Sequence, residues 1–330
     1  RDRLRSRGLG DVYKRQINGG AVAAAGTDMQ EKEGIKDSPE RMLQDMIRSG
    51  RGLSHVDLLK MIVEGTRPAF DFTLEHGVQY KPFVQHFGGH SVPRIMQTIE
   101  STGGGITRPL ADSCRKHGVK RFHQVSTDEV YGSMTVDTPP NTEATPFDPS
   151  SPYSASKAAA DQFGRAYFRT YGLPVVTVRC TNNYGPRQYP EKLLPFMLTR
   201  ALAGKTLPVY GDGEQIRDWI HVHDFCRALR MILEKAAPGD IYNVGASNEM
   251  SNLKFLQSAM SVLDELSPRD DGRPHADAIV HVHDRPGHDR RYALDAGRLR
   301  QTLEWKPMIP FDEGLRATVR WYLKQCVSAF

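Results

Sequence analysis

No two of the four cysteines, Cys114, Cys180, Cys226 and Cys326, stand close enough to make a C-x-x-C pair. That spacing argues against a zinc site and suits a reducing compartment, so a cytoplasmic location is expected. No apolar run approaches the roughly 20 residues that a bilayer-spanning helix needs, and no membrane association is expected. Excess charge is also missing once the first residues are set aside. The formal net charge is +5, but residues 1–16 carry six Lys/Arg against Asp2 and Asp11, which leaves +1 for the other 314 residues. A basic nucleic-acid face is therefore not expected. Residues 1–16 show no apolar periodicity and no signal-peptide core, and they read as an adapter-like arm outside the fold. A basic arm that binds nucleic acid is the competing reading of that stretch. The length of 330 residues admits two ordinary domains, or one large α/β domain with an added lobe.

A well-formed dinucleotide loop is the most telling absence. Gly20, Ala23 and Gly26 nearly make a G-x-x-G-x-x-G, and Gly103-Gly104-Gly105 follows later. A dinucleotide fingerprint needs a buried strand before the loop and a helix after it, so that backbone N–H groups meet the pyrophosphate. Before Gly19 there is only the basic arm, and before Gly103 the residues are polar, so ordinary turns are expected at both places. The segment 17–117 is mostly helical in pattern. Ser38-Pro39-Glu40 ahead of Met42, Leu43 and Met46 predicts an N-capped helix with one apolar face. Short helices are expected at 56–61 and 70–74 and a further one at 106–116, with no run of strands between them.

From Val119 the pattern changes to alternating strands and helices, which predicts the later part of a doubly wound α/β domain with an interleaved smaller lobe. Strands are expected near 119–126, 174–179, 207–210, 241–244 and 279–282. Helices are expected near 155–171, 193–203, 223–235, 253–266, 296–303 and 311–324. Two adjacent carboxylates, Asp128 and Glu129, close the first of these strands. Tyr153 and Lys157 follow at i and i+4, which places them on one helix face.

Two resemblances divide the chain. Asn18-Gly19-Gly20 through Ala25-Gly26-Thr27, then 34–40, Gly88-Gly89-His90-Ser91-Val92-Pro93-Arg94 and Gly103–Gly105, resemble the flavin-binding domain of fumarate reductase-type flavoproteins. This likeness covers roughly a hundred residues. It implies FAD as a cofactor, with the turn near Gly20 approaching the flavin and His90 and Arg94 near a dicarboxylate site.

Downstream, Tyr153-x-x-x-Lys157 resembles the signature of short-chain dehydrogenase/reductase enzymes. Ser126-Thr127-Asp128-Glu129-Val130-Tyr131-Gly132, Asn182-Asn183-Tyr184-Gly185-Pro186, 190–193, 207–219 and Asp284-Arg285-Pro286-Gly287-His288-Asp289 narrow the likeness to the dTDP-glucose 4,6-dehydratase family, across about two-thirds of the chain. The resemblance implies a Rossmann-like parallel sheet, NAD as cofactor and dTDP-glucose as substrate. It also implies a homodimer and a hydro-lyase reaction: oxidation at C4, loss of water across C5–C6 and hydride return to C6.

A tyrosine at its ordinary pKa of about 10 is a poor base, and Lys157 one turn away is expected to lower it. Elimination needs one group to take the C5 proton and another to protonate the leaving C6 hydroxyl; neighbouring carboxylates with separated pKa values fit that division. By resemblance Asp128 is the acid, Glu129 the base and Thr127 a hydrogen-bonding partner of the sugar. Asn182, Lys192, Pro208, Tyr210, Arg217, Asn252, Arg285 and His288 are implied substrate contacts, and Asn183 lies on the nicotinamide side. The bland reading of the same residues is a strand end with solvated carboxylates and a surface Tyr–Lys pair.

His221-Val222-His223 and His281-Val282-His283 could each offer two rings on one strand face, but no third ligand is spaced to complete a metal site. The switch between the two likenesses falls near His117–Lys120, so the chain reads as chimaeric. Flavoprotein-like sequence stands where the first strands and glycine loop of the dehydratase fold would be. Its first remaining strand is expected to present an apolar sheet edge, a liability for aggregation, and NAD binding is expected to be weak. A non-catalytic remnant that binds a nucleotide sugar through Lys192, Arg217 and His288 is the alternative function, and a flavin oxidoreductase fragment is a weaker one.

Overall fold

A computed structural model describes residues 21–49, 56–86, 90–99, 104–189 and 191–327. The basic arm, Asn18–Gly20, Gly88, Gly89, Gly103 and Pro190 lie outside the described residues. The chain divides into two compact units. The first takes the described residues up to Phe122 together with Ala155–Val175; the second takes His123–Ser154 and Val176–Phe330.

Three strands of the first unit form an antiparallel sheet: β1 (Ala21–Ala23), β2 (Tyr80–Gln85) and β3 (Ile95–Thr98), in the order β1-β3-β2. The sequence pattern did not predict this sheet. Its strands are three to six residues long, too short for a period-2 alternation to stand out. Gly26, at φ +67°, turns the chain from β1 into α1 (Asp28–Lys32). A reciprocal Thr27–Gln30 capping box secures that helix: Gln30 N–H donates to Thr27 Oγ1 at 3.3 Å and Thr27 N–H to Gln30 Oε1 at 3.0 Å. The predicted helix after Ser38 is α2 (Pro39–Ser49), whose Met42 packs with Ala25 and Val63.

The two short helices expected at 56–61 and 70–74 are one helix, α3 (Val56–Glu75), which runs through Pro68. Proline removes one hydrogen bond there, but Val63 and Phe70 on either side are 2% and 1% exposed, and their packing carries the helix past the gap. Gly104 and Gly105 open α4 (Gly104–Lys116) rather than forming a turn. The helix passes so near β3 that a Cβ on Gly105 would sit 2.8 Å from Thr98 Oγ1. Against α4 pack Tyr167, Leu173 and Val175, the first from α5 (Pro152–Tyr171), which starts in the second unit and continues in the first.

The second unit is built on short parallel pairings. β4 (Phe122–Thr127), β5 (Val175–Cys180) and β9 (Ile241–Val244) lie in the order β4-β5-β9, with β5 and β9 parallel, so β4 stands at the end of the described strand order. β6 (Asn182–Tyr184) runs parallel to β8 (Ile216–His221), which pairs antiparallel with β10 (Glu249–Ser251). β7 (Leu207–Tyr210) and β11 (Ile279–Val282) form a parallel pair. The predicted strands 207–210, 241–244 and 279–282 match the structure residue for residue. The strand expected from 119 starts at Phe122, because Gly118 at φ +60° is still turning the chain out of α4. β6, β8 and β10 were not expected.

Helices α6 (Leu193–Leu202), α7 (Val222–Lys235), α8 (Asn252–Leu266), α9 (Gly297–Leu303) and α10 (Phe311–Val327) fall within three residues of their predicted bounds. Val176, Val178, Ile220, Ile232, Tyr242, Val244, Leu299 and Trp305 form the main core of this unit. Each such side chain contributes about 1.5–3 kcal/mol on burial. Trp219 of β8 stacks on Phe255 of α8 at 3.8 Å with an interplanar angle of 10°.

Candidate active site

The cluster of interest sits where β4 ends. Thr127 has extended backbone (φ −138°, ψ 155°) and caps a single 3-10 turn, Asp128–Tyr131. Its Oγ1 accepts the Glu129 N–H at 3.3 Å and donates to Asp128 Oδ1 at 3.1 Å. Gly132, at φ +82°, ends the turn, and a Cβ there would lie 2.1 Å from the Asp148 carbonyl oxygen. Only glycine serves at this position, and it aims the two preceding carboxylates inward. Below the turn, Tyr131 is fixed by donation to Asn243 Oδ1 at 3.0 Å and by acceptance from Arg179 at 2.6 Å.

The two carboxylates live in different surroundings. Asp128 is 3% exposed, and its Oδ2 is buried without a hydrogen-bond partner. Burial, then the Glu129 charge, push its pKa up to about 8, with Arg217 and Thr127 opposing. Glu129 is half-buried, and its pKa is raised as well, by burial first and also by the Asp289 charge, with Arg285, Arg217 and Lys192 opposing. Both carboxyl groups are thus shifted upward; three cations oppose the rise of Glu129, and Asp128 keeps its proton at neutral pH.

Tyr153 belongs to the same cluster. Its phenol is held above the usual range by burial and by Glu129, Cys180 and Asp128. This direction is opposite to the lowering expected from Lys157. Desolvation and, after it, the charge of Glu129 disfavour the phenolate. Lys157 lies one turn further along α5.

Arg217, on β8, is 4% exposed and its pKa is lowered by burial. The next residue, Asp218, faces the chain rather than a ligand: it accepts the N–H groups of Ala246, Ser247 and Asn248 at 3.0, 3.2 and 2.8 Å. Lys192 is the N-cap residue of α6. His288 is held by Asp284, with Nδ1 2.7 Å from Oδ1, and its ring meets Tyr210 edge-on at 6.1 Å. Burial, then Arg285, lower its pKa, so it is a neutral ring at pH 7. Asn183 lies beside Cys180 and Thr181, with Nδ2 3.2 Å from the Thr181 carbonyl and Oδ1 buried without a partner.

The structure thus brings Thr127, Asp128, Glu129, Tyr153, Lys192, Arg217 and Arg285 into one electrostatic neighbourhood. Asn182 pairs opposite Trp219 and Pro208 opposite Val280 in their sheets, and Asn252 opens α8 with its N–H on the Gln215 carbonyl at 3.0 Å.

The histidine pairs have other work. His221 Nδ1 accepts the His223 N–H at the start of α7, while His281 and His283 engage the carbonyls of Gly211 and Asp284. In the first unit, Arg94 is fully buried and grips Asp37 through two bonds (2.9 and 2.7 Å) and Asp45 through one (2.8 Å), with His90 at 3.3 Å. Its guanidinium is thus engaged in an internal clamp with the protein's own carboxylates.

Sequence reading missed Asp289 and Tyr292. Asp289 is 7% exposed and accepts from Ser150 Oγ and from the Tyr292 hydroxyl. Its place at the end of Asp284–Asp289 was the available signal; nothing local marked Tyr292.

Comparison with known proteins gives two family matches. The GDP-mannose 4,6 dehydratase model matches residues 84–318 and the FAD binding domain model residues 14–136, overlapping across 84–136. The dTDP-glucose 4,6-dehydratase of Xanthomonas campestris pv. campestris (strain B100) is 53% identical over 203 residues, covering 62% of this chain and 58% of that protein. The Neisseria gonorrhoeae enzyme of the same name is 53% identical over 263 residues, covering 74% and 75%. Among solved structures, a Streptomyces venezuelae dTDP-glucose 4,6-dehydratase with NAD and TYD bound aligns at TM-score 0.61 and 44% identity, over 68% of this chain and 66% of that one. The UDP-glucose 4-epimerase of Thermus thermophilus, in complex with NAD, aligns at TM-score 0.61 and 28% identity, over 69% and 71%. The chain spans 58% of the length of the Xanthomonas relative. No helix among the described residues is long and apolar enough to cross a membrane.

Proposed function

The chain belongs to the GDP-mannose 4,6 dehydratase family across residues 84–318, and we propose that its second unit carries the chemistry of a dTDP-glucose 4,6-dehydratase. The observation that carries this reading is the different surroundings of the two adjacent carboxyl groups. Asp128 is held protonated by burial while Glu129 is surrounded by Arg285, Arg217 and Lys192.

A dehydration across C5–C6 needs an acid and a base that keep opposite protonation states at one pH. Asp128, with its pKa at about 8, donates its proton to the departing C6 hydroxyl. Glu129, beside Arg285, Arg217 and Lys192, takes the C5 proton once a C4 ketone has made it acidic. Tyr153 takes the proton of the C4 hydroxyl during oxidation, and Lys157 is the cation one turn away that favours its phenolate. Arg217, with its planar fork, holds the diphosphate together with Lys192 and Arg285; neutral His288 offers a further hydrogen bond. Asn182, Pro208, Tyr210 and Asn252 are the remaining proposed nucleotide-sugar contacts. By ancestry the proposed division is a flavoprotein-like part at 17–117 and a dehydratase-like part from 118.

NAD, when bound, would accept the C4 hydride and return it to C6. The residues present fit its nicotinamide end: Asn183 Oδ1 is a buried acceptor without a partner, near Cys180 and hence on the Tyr153 side of the cluster. They fit its pyrophosphate end less well, because α4 and an antiparallel sheet stand immediately upstream of β4, where a strand–glycine-loop–helix unit would be needed. That observation favours a second reading, a nucleotide-sugar binder without turnover.

The test is an NMR assay for the 4-keto-6-deoxy sugar with dTDP-glucose and added NAD. Product supports the lyase. Binding of dTDP without product at saturating NAD supports the second reading, and absence of both refutes the two together. A yellow purified protein would instead point to bound FAD and the flavoprotein-like segment.

A further inference from the structure

Arg217 is held in an unusual way for a buried cation. Its Nη1 donates to the Ile216 carbonyl at 2.7 Å and its Nη2 to the Asp289 carbonyl at 2.9 Å, and the guanidinium carbon lies 4.4 Å from the centre of the Tyr292 ring. Two carbonyls and an aromatic face orient a guanidinium without neutralising it. A carboxylate partner would fix the group equally well, but it would cancel the charge needed for a diphosphate.

The frame around Arg217 is itself locked. Asp289, at 7% exposure, accepts hydrogen bonds from Ser150 Oγ and from the Tyr292 hydroxyl, both on Oδ2. Two hydroxyl groups thus donate to one carboxyl oxygen. Fixing this side chain fixes the residue's own carbonyl, on which Arg217 rests. The segment then runs along β8: Ile216 N–H donates to the Arg290 carbonyl at 2.8 Å, and Tyr292 N–H returns to the Ile216 carbonyl at 3.2 Å. Arg290 N–H and the Arg291 carbonyl tie the same segment to Ser133 and Met134, directly after the turn that carries Asp128 and Glu129. One segment therefore registers the cation on β8 against the carboxylate turn.

We propose that Asp289 and Tyr292 are positioning residues: the Tyr292 hydroxyl and the Asp289 carboxylate hold the Asp289 carbonyl and the Tyr292 ring as a neutral cradle that aims Arg217 at the diphosphate of a nucleotide sugar. This rests on the nucleotide-sugar reading above. The residues touch Arg217, and their effect on ligand is exerted through it.

The experiment is a double-mutant cycle on dTDP affinity, followed by 31P NMR, which reads binding into the millimolar range and needs neither NAD nor turnover. Y292F keeps the ring and removes only the hydroxyl; D289N keeps the shape and removes the charge. Each should weaken dTDP binding about tenfold when Arg217 is present and less than about twofold in an R217A background, because the loss is transmitted through that side chain. The melting temperature of each variant is followed in parallel, and D289N serves if Y292F does not fold. Equal losses with and without Arg217, or no loss in either background, would overturn the positioning role alone. Failure of the unsubstituted chain to bind dTDP would overturn the nucleotide-sugar reading and this one with it.

Discussion

Replacing Asp128 by Asn tests the centre of the argument, because it removes the titratable proton and almost nothing else. The Asp128 carboxyl titrates at about 8 in the folded protein, against an ordinary aspartate value of 3.8. A raised carboxyl pKa means that the folded state prefers the proton. The stabilising contribution is therefore fully present below about pH 4 and is lost as pH rises through about 8. At about 1.4 kcal/mol per pH unit, that displacement sets a ceiling on the order of 5 kcal/mol, reduced because part of it is shared with Glu129. D128N carries no such penalty. It should match the unsubstituted chain near pH 4 and exceed it by a margin that grows from about pH 4 to about pH 8 and then levels off at several kcal/mol.

Trp219, Trp305 and Trp321 all lie in the second unit, so tryptophan fluorescence in urea titrations reports this unit alone. Activity should move the other way, with kcat reduced about 10²–10⁴-fold by loss of the acid. Stability curves of the two proteins that stay parallel from pH 4 to 9 would refute the claim that Asp128 is a buried acid. They would remove the main support for its role.

Three further outcomes are expected. Y153F should lower the rate of 4-keto-6-deoxy sugar formation by about 10²–10⁴-fold and leave dTDP affinity within about twofold, as a group acting on the C4 hydroxyl requires; equal losses in both would assign Tyr153 to binding. G132A should destabilise the second unit by about 3 kcal/mol or more, read by tryptophan fluorescence, since it combines φ +82° with a Cβ 2.1 Å from a backbone oxygen. R94Q should unfold the first unit preferentially, at a cost of about 3–5 kcal/mol, by leaving buried Asp37 without its guanidinium and Asp45 with Arg48 alone of its two cations. Circular dichroism would show that loss while the tryptophan signal stays in place.

Much of the second unit was legible because its elements are long enough to carry a period. α8, with Phe255, Leu256, Ala259, Met260 and Leu263 buried, shows the 3.6-residue repeat directly. β6 and β10, at three residues each, cannot show a strand period at all. The antiparallel sheet of the first unit was hidden for the same reason, and α3 reads as two helices because of a proline that its packing tolerates. At the site, Asp128 and Glu129 are adjacent in sequence, and Tyr153 and Lys157 are one helical turn apart, so each pair was legible from spacing alone. Arg217, Arg285 and Lys192 could be named only by resemblance, because they come from separate elements. Asp289 and Tyr292 were missed because their importance lies in what they touch.

The sequence by itself determined the chemistry available: an adjacent carboxylate pair at a strand end, a tyrosine and lysine one helical turn apart, and glycine where the turn must carry positive φ. These are properties of covalent order and short-range geometry. Only the tertiary structure decided how that chemistry is tuned. Burial raised Asp128, burial and then the Glu129 charge raised the Tyr153 phenol instead of lowering it, and Arg94 was committed to an internal clamp. Desolvation and through-space charge depend on which distant segments close around a group, and residue order does not state that.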